Sequence, residues 1–115
     1  MKIKGAIQAL SALAQESRLA IFRLLVEHGP AGLTVSKIGA RLGIPSATLS
    51  FHLKELSHAD LVTARQEGRF IFYSANFKTM TGLLSFLSEN CCGGNSGLCG
   101  PADKVSRQLV RRKRS

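Results

Sequence analysis

Residues 34–74 read TVSKIGARLGIPSATLSFHLKELSHADLVTARQEGRFIFYS. Thr34 is a good helix cap, and Val35, Ile38 and Leu42 follow at helical spacing on one inner face. Gly43 makes a turn. Ile44-Pro45-Ser46 then restarts a helix, with Pro suited to a first turn and Ser to the cap. Leu49, Leu53 and Leu56 form its apolar stripe at i, i+4 and i+7. After Asp60 the period changes: residues 61–66 and 69–74 are rich in β-formers, with Glu67-Gly68 as a two-residue hairpin link. Two helices (34–42 and 46–58) joined by a short Gly-containing turn make a helix-turn-helix, and the hairpin behind it is a wing.

Working outward, Ile3, Ile7, Leu10, Leu13 and Ala14 repeat at spacings of three and four, and so do Leu19, Phe22, Leu25 and Val26 within 16–28. Gly29-Pro30 ends that second helix. Phe77, Met80, Leu83, Leu84 and Leu87 return to helical spacing after the hairpin. The expected order is α-α-α-α-β-β-α: a mainly α fold with a β-hairpin wing. The domain spans 1–90, a Cys-containing loop spans 91–100, and a basic tail spans 101–115.

The chain has 115 residues, 44% of them hydrophobic, with a net charge of +9. That length suits one domain. Six cations and no acid lie in 104–115, and the other 103 residues still carry +3. Both parts suit a polyanionic partner. No apolar run approaches the ~20 residues of a membrane span, and no leader pattern follows Lys2 and Lys4. Three cysteines confined to one short stretch do not make a secreted disulfide framework. A cytoplasmic protein with reduced thiols is expected. No catalytic constellation or phosphate-cradling loop is present, so no enzyme is expected.

In a helix-turn-helix the second helix enters the major groove. The outward residues over 46–54 are read as Ser46, Ala47, Thr48, Ser50, Phe51, His52 and Lys54. Small hydroxyl side chains permit close approach, the Ala47 and Thr48 methyls suit a thymine methyl, and His52 can donate to a base or phosphate. At the hairpin tip, Arg65 and Arg69 are available for phosphates or the minor groove. Double-stranded DNA is the expected partner.

Ser50-Phe51-His52-Leu53-Lys54-Glu55-Leu56, Ala59-Asp60-Leu61-Val62 and the run Arg65–Tyr73 resemble the helix-turn-helix and wing of the ArsR/SmtB family, and Ala14–Ile21 resembles its second-helix entry. The resemblance covers roughly residues 5–90. It implies a homodimeric repressor, paired through its first and last helices, on an inverted-repeat operator and released by a metal or metalloid. Two common sensor sites of that family are missing. Thr34-Val35-Ser36 stands where many members have Cys-Val-Cys, and 76–90 contains no His or Asp.

Cys91, Cys92 and Cys99 remain, the first two adjacent and the third seven residues on, with glycines between that let the loop fold back. Soft thiolates select soft ions. A structural zinc site normally needs four ligands, and no fourth cysteine exists. Three sulfurs suit a trigonal-pyramidal centre such as As(III) or Sb(III). The pattern also looks like the family subgroup with C-terminal arsenic cysteines. Two alternatives stay open: a thiol-based redox-sensing repressor of the same fold, and a constitutive architectural DNA-binding protein.

Overall fold

The structure, a computed structural model, describes residues 1–94. Cys99 and the basic tail 101–115 lie outside the described residues. The order is α1 (Ile3–Leu13), α2 (Glu16–His28), β1 (Leu33–Thr34), α3 (Val35–Leu42), α4 (Ser46–His58), β2 (Val62–Glu67), β3 (Phe70–Ala75) and α5 (Phe77–Ser88), followed by a 3₁₀ turn at Cys91–Gly94. This is the expected winged helix-turn-helix, with one added strand. β1 pairs antiparallel with β3 through Leu33↔Tyr73 and Thr34↔Phe72, giving a three-stranded sheet in the order β1-β3-β2. Two residues before a cap are too few to show a strand periodicity.

Local signals set the element ends. Thr34 caps α3 by accepting from the Lys37 amide, and Gly43, left-handed at φ 66°, closes that helix. Helix α4 starts differently from the expectation. Pro45 occupies the N-cap and Ser46 is the first helical residue, so no side chain caps the helix; proline's fixed φ holds the entry instead. At its other end Asp60 adopts φ 61°. Its amide donates to the Ser57 carbonyl, and that of Leu61 to the Leu56 carbonyl. This is a Schellman closure, sealed by contact between the buried Leu56 and Leu61.

The hairpin is shifted by one residue from its sequence reading. Glu67 pairs with Phe70, so the two-residue turn is Gly68-Arg69 rather than Glu67-Gly68. Gly68 takes φ 64° at the first turn position, which a side chain would disfavour.

The core is built where the second, third and fourth helices meet the hairpin base. Ile21, Leu25, Ile38, Leu49, Leu53, Leu56 and Leu61 are its fully buried large side chains. Leu19, expected with the inner stripe of α2, stays exposed. Helix α1 also departs from expectation. Its protomer-facing side is Ala6, Ala9 and Ala12, whereas Ile3 and Ile7 of the apolar stripe are 65% and 58% exposed and Leu10 is also exposed. Small residues let α1 approach α2, α4 and α5 closely, and the larger ones point away. Among the described residues no helix is long and apolar enough to cross a membrane.

Two glycines mark close approaches. A Cβ on Gly39 would stand 3.0 Å from the Ile44 carbonyl, which is why α3 has a glycine inside it. Gly32 has φ 80°, and its Cβ would meet the Tyr73 carbonyl at 2.8 Å. Gly32→Ala is therefore expected to destabilise the protein by about 2 kcal/mol or more, and Leu53→Ala by about 2–5 kcal/mol. Urea unfolding of each variant against the parent checks both.

Candidate nucleic-acid interface

Because Leu49, Leu53 and Leu56 face the core, the opposite face of α4 is fixed. Ser46, Ala47, Thr48, Ser50, Phe51 and Lys54 are all exposed, as the sequence led one to expect. His52 is not among them; it is 8% exposed. It stands three residues after Leu49 and four before Leu56, which places it on the buried side of the helix. Its Nδ1 accepts from Arg18 Nη1 at 3.3 Å. A guanidinium only donates, so the His52 proton sits on Nε2. Arg18 Nε also donates to the Ala12 carbonyl at 2.7 Å. His52 thus joins the reading helix to the α1–α2 corner and does not serve as a groove contact.

On the wing, Arg65 is exposed and also bonded within the protomer. Arg65 Nε donates to Glu67 Oε2 at 2.7 Å, and its Nη2 donates to the Ala31 carbonyl at 3.0 Å. The guanidinium also lies 5.2 Å from the Phe72 ring centroid. These bonds tie the wing to the segment between α2 and β1, so Arg65 braces the wing while its side chain stays 45% exposed. An exposed ion pair alone contributes little, but here three contacts share one planar group. Arg69, in the turn, is exposed, and Phe70 beside it is 57% exposed.

The sequence reading missed Ser36, Lys37 and Arg41. All three are exposed on α3. Lys37 and Arg41 are four residues apart and so share one flank of the helix, and that spacing was a usable signal. In a helix-turn-helix the first helix crosses the sugar-phosphate backbone, where such cations belong. Lys37, Arg41, Lys54 and Arg69 give this surface its positive charge.

Beyond α5 the chain turns sharply. Asn90, Cys92 and Gly93 all take left-handed φ, at 57°, 56° and 67°. The sulfurs of Cys91 and Cys92 come within 3.7 Å of each other.

A helix-turn-helix whose second helix presents short polar side chains, backed by a β-wing, defines a winged-helix DNA-binding regulator. Residues 13–65 match the model of a helix-turn-helix domain family. The arsenical resistance operon repressor of Bacillus subtilis is 34% identical over 85 residues, covering 74% of this chain and 77% of that protein. An ArsR-like transcriptional regulator from a Rhodococcus species superposes with TM-score 0.69 over 96% of each chain, at 21% identity, a likeness of fold. The homodimeric winged helix-turn-helix domain of a possible ArsR-family regulator from Mycobacterium bovis superposes with TM-score 0.62 at 25% identity, covering 81% of this chain and 86% of that one. The chain belongs to the ArsR family of winged helix-turn-helix transcriptional regulators, whose members bind DNA.

The different roles of the two wing arginines are separable by salt. Arg69→Ala is expected to reduce the slope of log affinity against log salt by about 0.9, the value of one phosphate contact. Arg65→Ala should leave the slope unchanged while weakening binding through a loosened wing. Fluorescence anisotropy on one duplex across a salt series checks both.

Proposed function

We propose that this protein is a dimeric repressor that holds an inverted-repeat operator in its reduced, unloaded form and releases it when trivalent arsenic or antimony is taken up by Cys91, Cys92 and Cys99. The observation that carries this reading is the meeting of the Cys91 and Cys92 sulfurs at 3.7 Å, three residues beyond the end of α5. Sulfurs brought this close can, once both are thiolates, be drawn onto one soft ion. Cys99 supplies the third thiolate of the proposal. The relatedness to an arsenical resistance operon repressor points the same way.

The dimer in this proposal uses apolar surface that one protomer leaves open. Ile3, Ile7 and Leu10 on α1, with Leu84 and Leu87 on α5, are exposed although large and apolar. Such a patch marks an interface, and a two-fold pair of reading helices fits two half-sites about one DNA turn apart. A metalloid drawn in just past α5 then acts on the helix that sets this spacing. It weakens DNA binding to the extent that it prefers the other arrangement.

The same adjacent sulfurs support a second reading, a repressor triggered by thiol oxidation. The two separate cleanly. With reduced full-length protein and a labelled duplex from upstream of its gene, arsenite is expected to release the DNA under strong reductant. Cys91→Ser, Cys92→Ser and Cys99→Ser should each bind the duplex and ignore arsenite. Tight binding that ignores arsenite, with release on addition of oxidant, would replace the metalloid reading by the redox one. Separately, Ile7→Glu is expected to bring the mass in solution down to the 12.4 kDa of one chain and to weaken operator binding at least tenfold. Light scattering and anisotropy read the two effects.

A further inference from the structure

Phe51 is the one large apolar side chain on the exposed face of α4, and it is 56% exposed. Ala47 lies one turn before it and Lys54 one turn after, both also exposed. A single exposed apolar residue is unremarkable by itself. This one is held in place. Its ring meets the His52 ring edge-on, with centroids 5.7 Å apart and planes inclined at 60°. His52 is in turn buried and bonded to Arg18, which is anchored on the Ala12 carbonyl. A chain of contacts thus runs from the helix core to a ring presented outward. A ring fixed in advance loses little rotamer freedom on binding.

The remainder of this face has little that reads bases by paired hydrogen bonds. Residues 46–54 contain no Arg, Asn or Gln, and Lys54 at the far end is the one side chain there of a type that bonds base edges bidentately. Ser46, Thr48 and Ser50 are short, and Lys54 ends in a single ammonium. An apolar ring at the centre of such a face needs an apolar group on a base edge. In the major groove that group is the C5-methyl of thymine.

We infer that Phe51, flanked by Ala47, is a specificity-determining residue that selects thymine by contact with its methyl group. The inference rests on the DNA-reading role of α4 given above. It differs from a phosphate contact because it discriminates between sequences and is independent of salt.

The test removes only the methyl. Full-length reduced protein is used to enrich a duplex from a randomised pool, and the winner is resynthesised with deoxyuridine replacing each thymidine in turn. Deoxyuridine keeps every hydrogen-bonding group of thymidine. One position per half-site is expected to lose about fourfold in affinity, the equivalent of one buried methyl at about 0.8 kcal/mol. Phe51→Ala should abolish that sensitivity at the same position and leave the effect of salt unchanged. Its thermal unfolding should match the parent, since the side chain is exposed. Sensitivity at no position in the parent, or sensitivity that survives in Phe51→Ala, overturns the inference while leaving DNA binding intact. Failure to enrich any duplex overturns the DNA-reading role itself, and the inference with it.

Discussion

Leu49, Leu53 and Leu56 remove the rotational freedom of the reading helix. Packed among Ile21, Leu25, Ile38 and Leu61, they are almost wholly shielded from water. Turning α4 by one residue, about 100°, would bring at least two of these leucines to the surface at about 1.5–3 kcal/mol each. Everything the helix offers to a partner is therefore set by what it hides. Ala47, Ser50, Phe51 and Lys54 are presented because they lie away from that stripe. His52 is withdrawn because it shares the stripe's flank.

The cations divide by the same logic of position. Arg18 and Arg65 are both employed inside the protomer, each with a guanidinium donating to a backbone carbonyl, of Ala12 and Ala31 respectively. Arginine suits such work because its planar fork serves several acceptors at once. Arg18 fastens the α1–α2 corner to the reading helix, and Arg65 fastens the wing to the segment before β1. Lys37, Arg41, Lys54 and Arg69 lie on the exposed surface. Two arginines thus hold the recognition elements in place, and the outward cations supply the field that attracts a polyanion.

Helix α1 shows the cost of being apolar on two sides. Its alanine face gains close packing within the protomer, and its isoleucine face gains nothing until a second surface covers it. Leu84 and Leu87 on α5 are in the same condition. The sharp turn that carries Cys91 and Cys92 follows directly from α5, so the sulfur pair is attached to the same helix that leaves its outer leucines open. A site there is mechanically close to any interface built on α5, and far in sequence from the helix-turn-helix it would influence.

Local patterns in the sequence determined the helix-turn-helix, the wing, the inner leucines of α4 and the closures at Gly43 and Gly29, because periodicity and cap chemistry involve residues within a few positions of one another. They also determined that all three cysteines fall within 91–99, since composition does not depend on the fold. Even the burial of His52 was legible in its spacing from Leu49 and Leu56, although its polarity argued for the surface. Only the tertiary structure decided that Arg65 bonds the Ala31 carbonyl, 34 positions away, that Leu33-Thr34 adds a strand beside Tyr73, and that α1 turns its alanines inward. These outcomes depend on which surfaces meet when distant segments pack, and a periodic stripe says that a face is apolar without saying which neighbour will cover it.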